Sequence, residues 1–249
     1  MISAGDFLKA VSHQELGAIY LYTGKWQEAD NELKIAAEIF KKSHNVQSLC
    51  IVESYDSIRQ LMMSRDIQNP LFINAYDVIE KSINVLFLAE KVSQGSYSQV
   101  ADYVRAYYLI GTAHRKTGDL TMADEYLAKA ISMCRQINII DQESSILLEL
   151  AKLRYFQGNK VESLHFAKEA LLITEHYWYV LQGADVNLWL ASLALEGFVF
   201  EDYKLGNLGD MDVAVRYAKE ALKLATCDGG EYKYKVAYDE ASRMLESLK

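Results

Sequence analysis

The chain has 249 residues, 51% of them hydrophobic and 24% charged, with a formal net charge of −8. Such a composition excludes a disordered chain, and the acidity excludes a nucleic-acid platform, which needs clustered Lys and Arg against phosphate. Pro70 is the only proline, and proline becomes this scarce where long helices leave few places for it.

The opening run, MISAGDFLKAVSHQEL, has no basic flank leading into an apolar core, so no signal peptide is expected. Every apolar stretch further on is interrupted by charge well short of about 18 residues, so no membrane span is expected. The first helical hairpin is read in LGAIYLYTGKWQEADNELKIAAEIF, with its turn at Gly24. A second follows with its turn at Gln68-Asn69-Pro70, where proline opens a helix and its missing N–H costs nothing. A third, LIGTAHRKTGDLTMADEYLAKAISM, turns at Gly118, and a fourth, ELAKLRYFQGNKVESLHFAKEALLI, turns at Gly158. The fifth ends in LGNLGDMDVAVRYAKEALKLA with its turn at Gly209, and a last helix is expected from about Tyr232. The turn glycines stand 40 residues apart between Gly118 and Gly158, 51 between Gly158 and Gly209, and 94 between Gly24 and Gly118. That spacing leaves room for the second hairpin and predicts five hairpins with a period of roughly 40 to 50 residues.

Certain residues recur at fixed places in these hairpins. The first reads His13, Leu16-Gly17, Tyr20, then Ala29, Leu33, Ala36. The third reads Tyr107, Ile110-Gly111, His114, then Ala123, Leu127, Ala130. The fourth reads Leu147, Leu150-Ala151, Arg154, then Ser163, Ala167, Ala170, and the fifth has Leu190-Ala191, Ala194, then Ala214, Ala218, Ala221. The second is recognised only by helical periodicity. This pattern resembles the tetratricopeptide family, whose small residues let the two helices of a hairpin approach closely. The resemblance implies an all-α, right-handed solenoid of about five hairpins plus a C-terminal capping helix, as a single domain over 1–249. The period exceeds the family's usual 34 residues, so helices or loops are longer. The fifth hairpin also carries the extra run LEGFVFEDYKLGNLG, read as an extended helix or a small excursion.

The C-terminal part, from Tyr179 through Gly183-Ala184-Asp185 to Leu193-Ala194 and from Ala218 to Ala225, is more specific. Together with Cys227-Asp228-Gly229-Gly230 and the run from Tyr234 to Ala241, it resembles the C-terminal arrays of bacterial STAND-type signalling NTPases. That resemblance implies a sensor or adaptor module, as part of a larger signalling protein or beside a separately encoded effector.

Signatures of chemistry are weak. Gly24-Lys25-Trp26 lacks the earlier glycine and the Ser/Thr of a phosphate-binding loop, and no HExxH or paired Cys-x2-Cys is present. Glu162, His165 and Glu169 give one Glu-x-x-His, where a di-iron bundle needs two such motifs and two further glutamates. His13 and His114 fall where the repeat wants a bulky residue, and His176 falls at a helix end. Cys50, Cys134 and Cys227 are an odd, scattered set that favours a reducing, cytoplasmic setting over a disulfide framework. No enzyme, cofactor or metal is therefore expected.

What remains is a binding surface. In the family the first helix of each hairpin lines a concave groove. Carried over, that register supplies Gln14, Ala18, Leu21 and Tyr22 from the first hairpin. The third supplies Arg105, Tyr108, Leu109, Thr112, Arg115 and Lys116. The fourth supplies Leu148, Glu149, Lys152 and Tyr155, and the fifth Leu188, Trp189 and Ser192. Basic residues beside tyrosines suit a protein or extended peptide held through carboxylates and apolar side chains. The family's clamp for acidic chaperone tails is not expected, because Gln14 and Ala18 stand where it wants Lys and Asn. A regulator that binds a short signalling peptide is the neighbouring alternative, and a helical-scaffold enzyme the more distant one.

Overall fold

The computed structural model describes residues 3–66, 75–93, 100–197, 211–226 and 232–249. Among them stand eleven α-helices and no strand. They are α1 (Ala4–Tyr22), α2 (Trp26–Lys42), α3 (Val46–Met63), α4 (Ala75–Ser93), α5 (Val100–Thr117) and α6 (Leu120–Ile137). After these come α7 (Ile140–Phe156), α8 (Lys160–Tyr177), α9 (Val180–Leu195), α10 (Met211–Leu224) and α11 (Lys235–Ser247). Neighbouring helices pair most extensively as α1 with α2, α5 with α6, α7 with α8 and α9 with α10, the architecture of an all-α helical repeat protein.

The chain forms two compact units, Met1–Ile139 and Ile140–Lys249. In the first, α1 touches α3 and α3 touches α5, whereas the second helices α2, α4 and α6 make no comparable contact with one another. The first helices thus form a closer-packed inner layer. In the second unit α7 touches α9 and α9 touches α11, while α8 and α10 make no comparable contact. The last helix begins at Lys235, three residues after the expected Tyr232, because Tyr234 takes the N-cap position.

The first, third and fourth hairpins turn by the same means. Gly24, Gly118 and Gly158 take φ of 77°, 85° and 80°, a left-handed conformation that glycine adopts without steric cost. Asp119 and Asn159 then cap α6 and α8 by accepting from the backbone N–H of Met122 and Glu162. The second and fifth turns, at Gln68-Asn69-Pro70 and Gly209, lie outside the described residues, as does Cys227. In the extra run of the fifth hairpin, α9 stops at Leu195 and Gly197 has φ 79°, while 198–210 are not described.

The recurrent small residues mark where helices meet. A Cβ built on Gly17 would stand 2.8 Å from Leu33 Cγ, and one on Gly111 would stand 2.7 Å from Leu127 Cγ. The partner positions Ala29, Leu33, Ala36, Ala123, Leu127, Ala130, Ala167, Ala170, Ala214, Ala218 and Ala221 are all buried. Gly111, Ala151 and Ala191 each stand eleven residues after the start of their helices, at Val100, Ile140 and Val180. Ser57, also fully buried, stands eleven after Val46. Val78, Ser82 and Val85 of α4 are buried at the spacing of Ala123, Leu127 and Ala130. The second hairpin therefore keeps the packing code with Ser57 in place of glycine, Val78 and Val85 in place of alanines and Ser82 in place of leucine.

Candidate functional site

The inner layer of the first unit brings three charged or phenolic groups together. Glu15 of α1, Tyr55 of α3 and Arg105 of α5 are close enough for both charges to act on the Tyr55 phenol. Burial is the largest influence and pushes that phenol up, Glu15 adds to the rise, and Arg105 opposes it. Arg105 is held by Asp102, its Nη1 donating to Oδ1 at 2.9 Å. The Asp102 carboxyl is itself 3% exposed, and burial raises it above the usual carboxylate range despite the guanidinium. Among the described residues its second oxygen has no hydrogen-bond partner. Cys50 lies in the same neighbourhood, its thiol pushed up to about 12 by burial and then by Asp102, so it is an inert core group.

The sequence-predicted face divides into buried and accessible members. Ala18, Leu21, Leu109, Leu148 and Leu188 are core residues, at most 7% exposed, because the stacked first helices cover that edge of the face. Gln14, Thr112 and Glu149 are also buried. Gln14 Nε2 donates to Glu15 at 2.9 Å, and Glu149 accepts from Lys152 at 2.7 Å. Among the described residues the Thr112 hydroxyl has no hydrogen-bond partner. Tyr22, Arg105, Tyr108, Arg115, Lys116, Lys152, Tyr155 and Trp189 are half-buried and present part of their surface. Tyr108 packs against the cluster of Leu61, Val78, Leu109 and Ala113.

In the second unit Tyr155 of α7 reaches across to α9. Its hydroxyl donates to the Glu196 carboxylate, which raises the phenol pKa. Its ring lies 5.4 Å from that of Trp189 at 88°, and 5.5 Å from that of Phe156 at 83°. Reading the sequence missed Glu15, Tyr55, Phe156 and Glu196. Tyr55 was hidden because the second hairpin lacks Gly/Ala markers that would set its register. Glu196 lies just beyond the end of α9, where register alone places no groove residue.

A cleft of about 340 Å³ between α2 and α4, floored by α3, was the other candidate. Its charges are matched. Arg59 Nη2 bridges Asp30 at 3.0 Å and Asp56 at 2.6 Å, and Asp56 also accepts from Lys81. Lys34 pairs with Asp30 at 2.6 Å and Lys41 with Glu53 at 3.7 Å. The network clamps three helices together. Among the described residues no helix is long and apolar enough to cross a membrane.

Among curated proteins none matches the chain. The tetratricopeptide repeat family matches residues 104–137, which run from Val104 of α5 to Ile137 of α6. Within them fall Gly111, Ala123, Leu127 and Ala130, the contacts that close the third hairpin. The repeat and its fold are those of protein-interaction scaffolds and are typically non-catalytic. The chain carries a tetratricopeptide repeat in its third hairpin, within an all-α array of paired helices.

Proposed function

We propose that the protein holds an extended peptide segment of a partner protein against the inner, first-helix layer. The observation that supports this reading is the convergence of Glu15, Tyr55 and Arg105 from three successive first helices. Three helices thereby offer one ligand a carboxylate, an aromatic ring and a guanidinium, a mixture suited to an extended chain with polar and apolar side chains. Tyr108, Arg115 and Lys116 on α5 extend the face toward the α5–α6 turn, and there a ligand carboxylate meets positive charge. Gln14 and Thr112 supply polar groups at its floor. The second unit, taken by itself, carries Glu149, Lys152, Tyr155 and Trp189 on its own first helices α7 and α9. The resemblance of the C-terminal part to STAND-type sensor arrays supports a signalling role for such capture, in the cytoplasm of a bacterium.

The test is an array of ten-residue peptides probed with the full chain, the best binder then being titrated by fluorescence anisotropy. Arg115→Glu combined with Lys116→Glu is expected to weaken an acidic binder about tenfold or more, with the helical circular dichroism spectrum retained. Unchanged affinity in that variant and in Tyr55→Ala defeats the assignment of the face.

A further inference from the structure

The aromatic cluster of the second unit differs in chemistry from the inner face of the first. Tyr155, Phe156 and Trp189 stand with neighbouring rings nearly perpendicular, at 83° and 88°. Two such rings form a corner, in which one offers its negative face while the other offers an edge. The Glu196 carboxylate closes the arrangement through the Tyr155 hydroxyl. Trp189 and Glu196 are seven residues apart, two turns along one side of the helix axis, and Tyr155 spans the interval. Phe156 is 56% exposed, and Tyr155 and Trp189 are half-buried, so the cluster is open to solvent.

We infer that Tyr155, Phe156, Trp189 and Glu196 form a site for a cationic side chain, an arginine or lysine, of a peptide ligand. Aromatic faces attract a cation placed within about 6 Å of the ring centroid, and most strongly when the ring is that of tryptophan. A carboxylate at the edge of the cluster gives the cation a counter-charge. One O–H donor leaves most of its acceptor capacity in place. Guanidinium suits the corner best, since a planar group stacks on one ring while its N–H groups reach the carboxylate. Loss of a hydrophobic partner alone would not discriminate charge, whereas this arrangement does. The inference rests on the peptide-capture reading only for its ligand being a peptide; the cation preference belongs to these four side chains.

The probes are n-propylguanidinium and n-butylammonium chlorides, with n-butanol as the neutral control, titrated at constant ionic strength into the full ¹⁵N-labelled chain. The readout is the Trp189 indole N–H resonance, assigned by its disappearance in Trp189→Phe. Both cations are expected to shift it saturably and butanol is not. Glu196→Gln keeps an acceptor for the Tyr155 hydroxyl and removes only the charge, and it is expected to weaken the cation response at least about fivefold. Tyr155→Leu is expected to abolish it while the remaining amide spectrum is retained. A response as strong to butanol, an unchanged response in Glu196→Gln, or none to either cation overturns the site. Any of these results leaves peptide capture by Tyr55, Arg115 and Lys116 standing. Loss of that capture with the cation response intact overturns the former reading alone.

Discussion

Asp102 is buried and Asp56 half-buried, and the two behave oppositely because their partners differ. Asp56 is desolvated, which raises its pKa, yet Arg59 and Lys81 together outweigh burial and hold it below the usual carboxylate range. Its contribution to stability is therefore present above the unfolded-state pKa and is lost as pH falls through the lower folded value. Asp102 has Arg105 alone, and burial wins, so its carboxyl is raised. Folding then works against its charge, and the stability present below the unfolded pKa is lost as pH rises through the folded one. Asp56→Asn is expected to cost about 1–3 kcal/mol at pH 7 by leaving the nearly buried Arg59 with Asp30 only, and the cost is expected to shrink near pH 3. Asp102→Asn is expected to be neutral or mildly stabilising at pH 7. Urea unfolding of both variants at pH 7 and pH 3 measures these differences; equal behaviour of the two would contradict the opposite signs.

At the scale of the helical hairpin, the close approaches and the caps set the tolerances. Ala at residue 111 would place its Cβ 2.7 Å from Leu127 Cγ and 3.1 Å from the Leu127 backbone nitrogen. Overpacking of this kind costs about 1–3 kcal/mol, offset by about 1 kcal/mol of helix propensity. Ala at residue 17 meets Leu33 side-chain atoms at 2.8 Å, but the Leu33 backbone nitrogen lies 3.4 Å away, and a side chain yields where a backbone does not. Gly111→Ala is thus expected to lower the unfolding midpoint more than Gly17→Ala. A different strain sits at the end of α8, where Trp178 takes φ 58° with 82% of its surface exposed. A left-handed non-glycine residue costs about 1–2 kcal/mol, and glycine returns part of that gain through its freer unfolded state. Trp178→Gly is expected to stabilise by about 0.5–1 kcal/mol, read as a rise in the thermal midpoint. These elements were largely legible beforehand. Gly24, Gly118 and Gly158 announced their turns because positive φ leaves little choice of residue. Trp178 announced nothing, since helix caps of that conformation favour glycine or asparagine.

For the molecule as a whole, repeat arrays draw stability from each hairpin and its contacts with the next. The compact first unit holds the paired helices α1 to α6, so residues 1–139 expressed alone are expected to show a helical circular dichroism spectrum and cooperative urea unfolding. A non-cooperative slope would show that the unit needs the rest of the chain. From the sequence alone came the all-helical class, the hairpin count and the alternation of first and second helices. Those follow from local rules: 3.6-residue periodicity, glycine at positive φ, and small residues where two helices touch. The tertiary structure alone decided which side chains remain accessible. Leu21, Leu109 and Leu188 share a helix face with accessible neighbours in the linear register, yet stacking of the first helices buries them. It alone placed Tyr55 within reach of Glu15 and Arg105, and Tyr155 against Trp189 and Glu196, because these groups lie 34 to 50 residues apart and meet only when hairpins stack. Helix-forming interactions reach about four residues along the chain, whereas a binding face is assembled across repeats, which no local pattern encodes.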